Sequence, residues 1–535
     1  MVMRRHHLKN STHTGLYIIY TIILVIFCLA STSCHQQYGI YTPVEHSTQR
    51  YESLADLDIE QEETFNTEEY DHIVENTFKD TWQNPFSTFS IDVDNASYSN
   101  VRRYLSNNVM PPKDAVRTEE FINYFNYQYP SPTDGHPFAT ITEVAECPWN
   151  NKNKLVHIGI QGKRLDYETS TPSNLTFLID VSGSMASPGK LPLVKKSIRL
   201  LLDKLDNRDK VSIVVYAGAA GLILPSTSLT QKQKILHALE KLDAGGSTAG
   251  SEGMRLAYKV NQEGFIEGGN NRVVLATDGD FNVGISSSGE LVRIIREERR
   301  KGIYLTICGY GMGNYKDGRM EQISNAGNGN YFYIDSIREA EKVFGREMRA
   351  NLFTIARDVK VQVEFNPKVV KAYRLLGYEN RILASEDFNN DQKDAGELGA
   401  GHSVTALYEV IPAGSNQMVP KHSASRYQYS VANNTVDSNE LMNIKLRYKP
   451  LEQDNSILIR HLVTMKDLSL AQSSDNFRFS AAAAGFAMLL RGSDHSGALT
   501  YDNVMDLARQ SSDPADTDRQ EFISLVRSAA LLETN

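Results

Sequence analysis

Between residues 174 and 350, short apolar runs alternate with amphipathic stretches, and this alternation limits the possible folds more than any other feature of the chain. "LTFLID", "KVSIVVYAG", "NRVVLATDGD" and "GIYLTICGYG" are continuous apolar runs of strand length. After the first run, Leu191, Val194, Ile198, Leu201 and Leu205 recur on one face of a helix. Strands that are apolar throughout, separated by helices, predict a doubly wound, mostly parallel sheet covered on both faces. Ligands of such sheets bind in the crevice beyond the carboxyl ends of the strands. The loops at those ends therefore hold the candidate chemistry.

The first of these loops is "FLIDVSGSMASPGK", residues 177–190. As a phosphate loop it is miscounted, because five residues separate Gly183 from Gly189 and Leu191 stands where Ser or Thr would hold magnesium. As a hydrolase elbow it lacks the G-x-S-x-G frame. As D-x-S-x-S it sets the oxygens of Asp180, Ser182 and Ser184 at alternate positions just past a strand, which suits a hard divalent cation. Two further loops fall at equivalent ends. "DAGGSTAGSEGM" carries Thr248 ahead of a helix, and "ATDGDFN" puts Asp278 at the tip of a strand. Neither loop contains histidine or cysteine, so Mg2+, Mn2+ or Ca2+ fits better than zinc or copper.

"DVSGSM", the Thr of "GGSTAG" and "ATDGD" resemble the three parts of the metal-ion-dependent adhesion site of von Willebrand factor A domains. The wider chain resembles bacterial YfbK-type lipoproteins, in which an N-terminal and a C-terminal region flank this domain. The resemblance implies a Rossmann-like domain in which Asp180, Ser182, Ser184, Thr248 and Asp278 form the metal site. It also implies that a carboxylate from a protein partner completes the coordination. The segment "DSIREAEKVFGREMRANLF", with Ile337, Ala340, Phe344 and Met348 at helical spacing, is expected to close the domain as a helix against the sheet.

Strand-like runs lie on both sides of this unit, among them "HPFATITEVAEC" and "KLVHIGIQGKRL" before it and "VKVQVEFN", "SVTALYEVIP" and "MNIKLRYKP" after it. They predict a β-sandwich, with flanks 85–173 and 351–455, into which the α/β unit 174–350 is inserted. Residues 456–535 read as mostly helical and apolar on one face. Asp387, Asn389 and Asp391 have calcium-loop spacing, but Gln392 and Leu398 break the EF-hand pattern. Asp92, Asp94 and Asn95 read as turn and cap residues.

Arg4, Arg5 and Lys9 precede the 15-residue apolar run "LYIIYTIILVIFCLA", which is short for a membrane span and suits a signal-peptide core. "STSC" then resembles a bacterial lipobox, with Ser31 where Leu is usual. Residues 1–33 are therefore expected to be removed and Cys34 lipidated, with 34–84 an acidic tether. Of the remaining cysteines, Cys147 and Cys308 could pair or stay as buried thiols. Losing the leader takes the net charge from −9 to −12, since three cations and no acids leave, which disfavours a nucleic-acid partner. The sequence thus predicts a lipid-anchored binding module of a bacterial cell envelope that meets an acidic residue of an envelope protein through a divalent cation. The competing prediction is an enzyme, either an ATPase using Lys190 or a hydrolase using Ser184 with a distant histidine such as His402. Lys190 is expected at the start of the first helix, facing solvent.

Overall fold

The computed structural model describes residues 68–165, 171–217, 219–245, 250–279, 288–313, 315–419 and 439–534. All of these fall within one of the chain's two compact units, Thr64–Asn535. The central sheet has six strands, in the order Tyr331–Ile334, Ile303–Tyr310, Asn270–Thr277, Ser173–Asp180, Lys210–Tyr216, Ala220–Ser228. Neighbours are parallel except the last pair, whose antiparallel edge strand the apolar pattern did not announce. Every residue of Ser173–Asp180 is buried. Leu175, Phe177 and Ile179 pack into the core on one face, with Val194, Ile198 and Leu201 of the helix Leu191–Leu202, while Leu178 joins the core on the other. Burial on both faces is the physical reason these strands are apolar without alternation.

A β-sandwich surrounds this unit. One sheet orders Lys79–Asp80, Val370–Leu376, Ser403–Pro412, Asn150–Gly162 and Phe138–Cys147. The other orders Gly396–Gly399, Thr354–Phe365, Glu440–Lys449 and Ile457–Thr464, with Phe86–Ser90 also paired to Thr354–Phe365. Each sheet mixes strands from before and after the central unit, so the α/β domain is an insertion in the sandwich. The two sheets share one core that includes Phe89, Val156, Ile158, Val361, Tyr408 and Ile444. Ile457–Thr464 is thus a sandwich strand, although the helical reading of the C-terminus began at residue 456.

Helices Asp475–Arg491, Tyr501–Gln510 and Thr517–Thr534 form a third layer with Ala96–Ser106 and Thr118–Asn123. Phe125 meets Phe479 and Phe522 edge to face, with centroids 4.7 and 5.5 Å apart. Residues 68–84, expected within the tether, are packed instead. Arg103 forms a bidentate pair with buried Glu68, and Lys79–Asp80 adds an edge strand against Ala372 and Tyr373. Cys147 and Cys308 are both buried free thiols rather than a disulfide.

Candidate metal centre

Asp180 ends its strand fully buried, and the chain turns at once. The Ser182 amide donates back to Asp180 Oδ1 at 2.8 Å, and a single 3-10 turn, Gly183–Ala186, follows. Met185 drops into the core beneath it, which fixes the turn from below. The Ser182 and Ser184 hydroxyl oxygens then stand 3.0 Å apart, with Ser184 open to solvent. On the neighbouring strand the pairing of Ile179 with Ala276 brings Asp278, one residue past the strand end, alongside Asp180. Gly279 takes φ +93°, and a Cβ there would lie 2.8 Å from the Tyr315 backbone, so only glycine lets the chain leave the strand at this point. The third loop is tied in by the Gly245 amide, which donates to the Val181 carbonyl at 2.7 Å. Thr248 lies outside the described residues.

Four of the five expected ligands therefore meet at the carboxyl edge of the sheet. Asp180 Oδ2 is buried and has no hydrogen-bond partner of good geometry. Burial raises the Asp180 carboxyl to about 6, and the nearby Asp278 charge adds to this against hydrogen bonding with Ser182 and Tyr216. An orphaned carboxylate oxygen beside two convergent hydroxyls and a second buried carboxylate is a donor set that fits a hard divalent cation.

Lys190 departs from its expected role. Its side chain is not solvated: it is only 9% exposed, and Nζ donates to Asp278 Oδ2 at 2.9 Å. A cation at the start of a helix opposes the helix dipole. That conflict was the sequence signal that a carboxylate partner waits nearby, but the partner is 88 residues away. The same contact removes Lys190 from the phosphate-loop reading.

Other candidates resolve into structural contacts. His402 pairs with Asn351 at 3.1 Å, next to Leu352, whose carbonyl accepts from Arg272 at the start of its strand. The His402 ring nitrogen is engaged by Asn351, and the Ser184 hydroxyl stands against Ser182 rather than a histidine. Asp92, Asp94 and Glu321 bring one carboxylate oxygen each within 4.8 Å of one another. The Arg381 guanidinium already fills that space, at 3.0 Å from Asp92, 3.3 Å from Asp94 and 3.4 Å from Glu321. Asp92 and Asp94 are therefore more than turn residues: they join the sandwich to the inserted domain. Asp391 accepts from Ser456 and Arg447, which leaves no calcium loop.

Fold and site together define a von Willebrand factor A domain carried within a β-sandwich. Residues 174–346 match the von Willebrand factor type A domain family, residues 64–157 the von Willebrand factor family, and residues 350–532 the family described as "Uncharacterized protein YfbK, C-terminal". YfbK of Escherichia coli (strain K12) is 41% identical over 475 residues, covering 86% of this chain and 81% of that one. The chain belongs to the YfbK family. It is also similar to human inter-alpha-trypsin inhibitor heavy chain H4, at 31% over 152 residues, which is 27% of this chain and 16% of that one. The solved von Willebrand factor type A protein of Catenulispora acidiphila aligns over 75% of this chain and 91% of its own, at 14% identity and a TM-score of 0.42.

Proposed function

We propose that this protein is a cell-envelope binding module, lipid-anchored at Cys34. In this reading Asp180, Ser182, Ser184, Thr248 and Asp278 hold a divalent cation, Mg2+ or alternatively Mn2+ or Ca2+, that bridges to a carboxylate of an envelope protein. The observation that carries the proposal is the buried Asp180 Oδ2, which has no hydrogen-bond partner of good geometry, beside paired serine hydroxyls at the sheet's carboxyl edge. The cation would supply positive charge for the incoming carboxylate. This chain's own part is to pre-position the oxygens: the Asp180–Ser182 turn holds them in a shape that needs little rearrangement. Among the described residues no helix is long and apolar enough to cross a membrane, and residues 16–34 lie outside that set.

An enzyme using Ser184 or Lys190 has less support. Ser184 Oγ faces Ser182 Oγ rather than a base, and Lys190 is engaged by Asp278. The test is the melting temperature of the solubilised chain with Mg2+ or Mn2+, against chelator. Wild type should gain stability with metal and Asp180→Ala should not, because binding to the native state alone stabilises it by mass action. Equal responses would refute the site.

A further inference from the structure

The metal-site reading treats the two carboxylates as the ion's counter-charge, yet a cation of the protein's own already stands against one of them, Asp278. Lys190 Nζ reaches Asp278 Oδ2 at 2.9 Å, and Asp278 is 0% exposed. The lysine is held in this pose from both ends. Its backbone precedes the helix Leu191–Leu202, and its aliphatic stem lies across Gly311, just past the strand Ile303–Tyr310. Gly311 adopts φ +80°, and a Cβ there would collide with the Lys190 stem. Its carbonyl is pinned in turn by the Tyr333 hydroxyl at 2.5 Å. A glycine is thus placed where it leaves a channel for the lysine, and a tyrosine fixes that glycine. Such support argues that the ammonium position is built rather than incidental.

We propose that Lys190 is a tethered competitor of the divalent ion. It balances Asp278 when the site is empty and lowers the site's affinity for metal when it is filled. Among the described residues, two carboxylates and one ammonium give the site net charge −1 instead of −2, and any entering cation meets a like charge nearby in a poorly solvated crevice. The weakening is purposeful in one respect. A dication added to this trio leaves net charge +1, which a carboxylate from a partner neutralises, whereas without the lysine the loaded site would already be neutral. Lys190 therefore shifts binding energy from the metal step to the partner step, and metal and acidic ligand bind cooperatively. This inference rests on the metal-site reading.

The experiment measures Mn2+ binding by the full solubilised chain, using the electron paramagnetic resonance signal of free Mn2+, for wild type, Lys190→Met, Lys190→Arg and Asp180→Ala. Lys190→Met keeps the stem and removes the charge, and Lys190→Gln serves as a second neutral variant should Lys190→Met not fold. Either should bind Mn2+ at least tenfold more tightly than wild type, with Lys190→Arg remaining near wild type. A neutral variant that binds Mn2+ no more tightly than wild type, while Asp180→Ala has lost binding, overturns the competitor and leaves the metal site standing. Absence of Asp180-dependent Mn2+ binding in wild type and neutral variants alike overturns the metal site, and the competitor with it.

Discussion

The Arg102 guanidinium donates to Glu339 Oε2 at 2.7 Å, linking a helix ahead of the inserted domain to the domain's own last helical segment. Asp335 receives two further bonds from the same group at 2.7 and 2.6 Å, and Glu521 of the C-terminal helix a third contact at 3.1 Å. Lys342 lies over the Tyr124 ring at 3.0 Å and donates to the Tyr124 carbonyl. The segment expected as one helix over 336–350 is broken into Ile337–Glu341, a π turn Lys342–Arg346 and Met348–Leu352. Ala340, Phe344 and Met348 face the sheet as their spacing predicts, but Ile337 is exposed. Movement of this segment relative to the flanking helices would have to break the Arg102 cluster.

Arg102→Met should destabilise the protein by about 3–5 kcal/mol, because it strands the buried Asp335 and Glu339 carboxylates without their cation. Chemical unfolding followed by tryptophan fluorescence measures it. A loss below about 1 kcal/mol would mean the cluster is not holding the segment.

Gly311→Ala forces a side chain into positive φ and against Lys190. The strain alone should cost about 1–3 kcal/mol. Combined with Lys190→Ala, which removes the stem, the cost should shrink, since the stem and the new methyl group are in direct contact and such pairs are not additive. Strict additivity in unfolding free energies would show that the lysine stem does not occupy the channel.

His157 is fully sequestered between the Tyr129 hydroxyl at 2.6 Å and the Ser480 hydroxyl at 3.0 Å, and burial lowers its pKa to about 3. A histidine whose folded pKa lies below its unfolded value of about 6.5 contributes stability that is complete above that value and is lost as pH falls toward 3. The cost of His157→Gln relative to wild type should therefore shrink by about 1.4 kcal/mol per pH unit below pH 6. Urea unfolding of both proteins at pH 7, 6 and 5 checks this, and a pH-independent difference would mean the imidazole charges in the folded state.

Cys34→Ala should change detergent partitioning and accumulate precursor or soluble protein, because acyl chains on the sulfur supply the anchor. Intact mass and phase separation of the two proteins decide it, with unchanged values pointing to an uncleaved helix.

What the amino-acid sequence determined on its own was whatever depends on near neighbours. Phe177 to Asp180 could be read as a buried strand because burial on both faces demands a continuous apolar run. Asp180, Ser182 and Ser184 could be read as a unit because the turn that aligns them is closed by an amide two residues away. Asp278 followed from the same strand-end rule, and the face Leu191, Val194, Ile198 and Leu201 from helical period. Tertiary structure alone decided the rest. Lys190 reads as a solvated helix start until the sheet order brings Asp278 to it, and nothing near Arg102 in the sequence announces Asp335, Glu339 and Glu521, which converge on it. Asp92 and Asp94 look like turn residues until Arg381 arrives from 287 and more positions away. Charged groups carry no periodic signature of their partners. Their pairing depends on which surfaces the fold presses together, and desolvation in that contact is what makes each pairing obligatory.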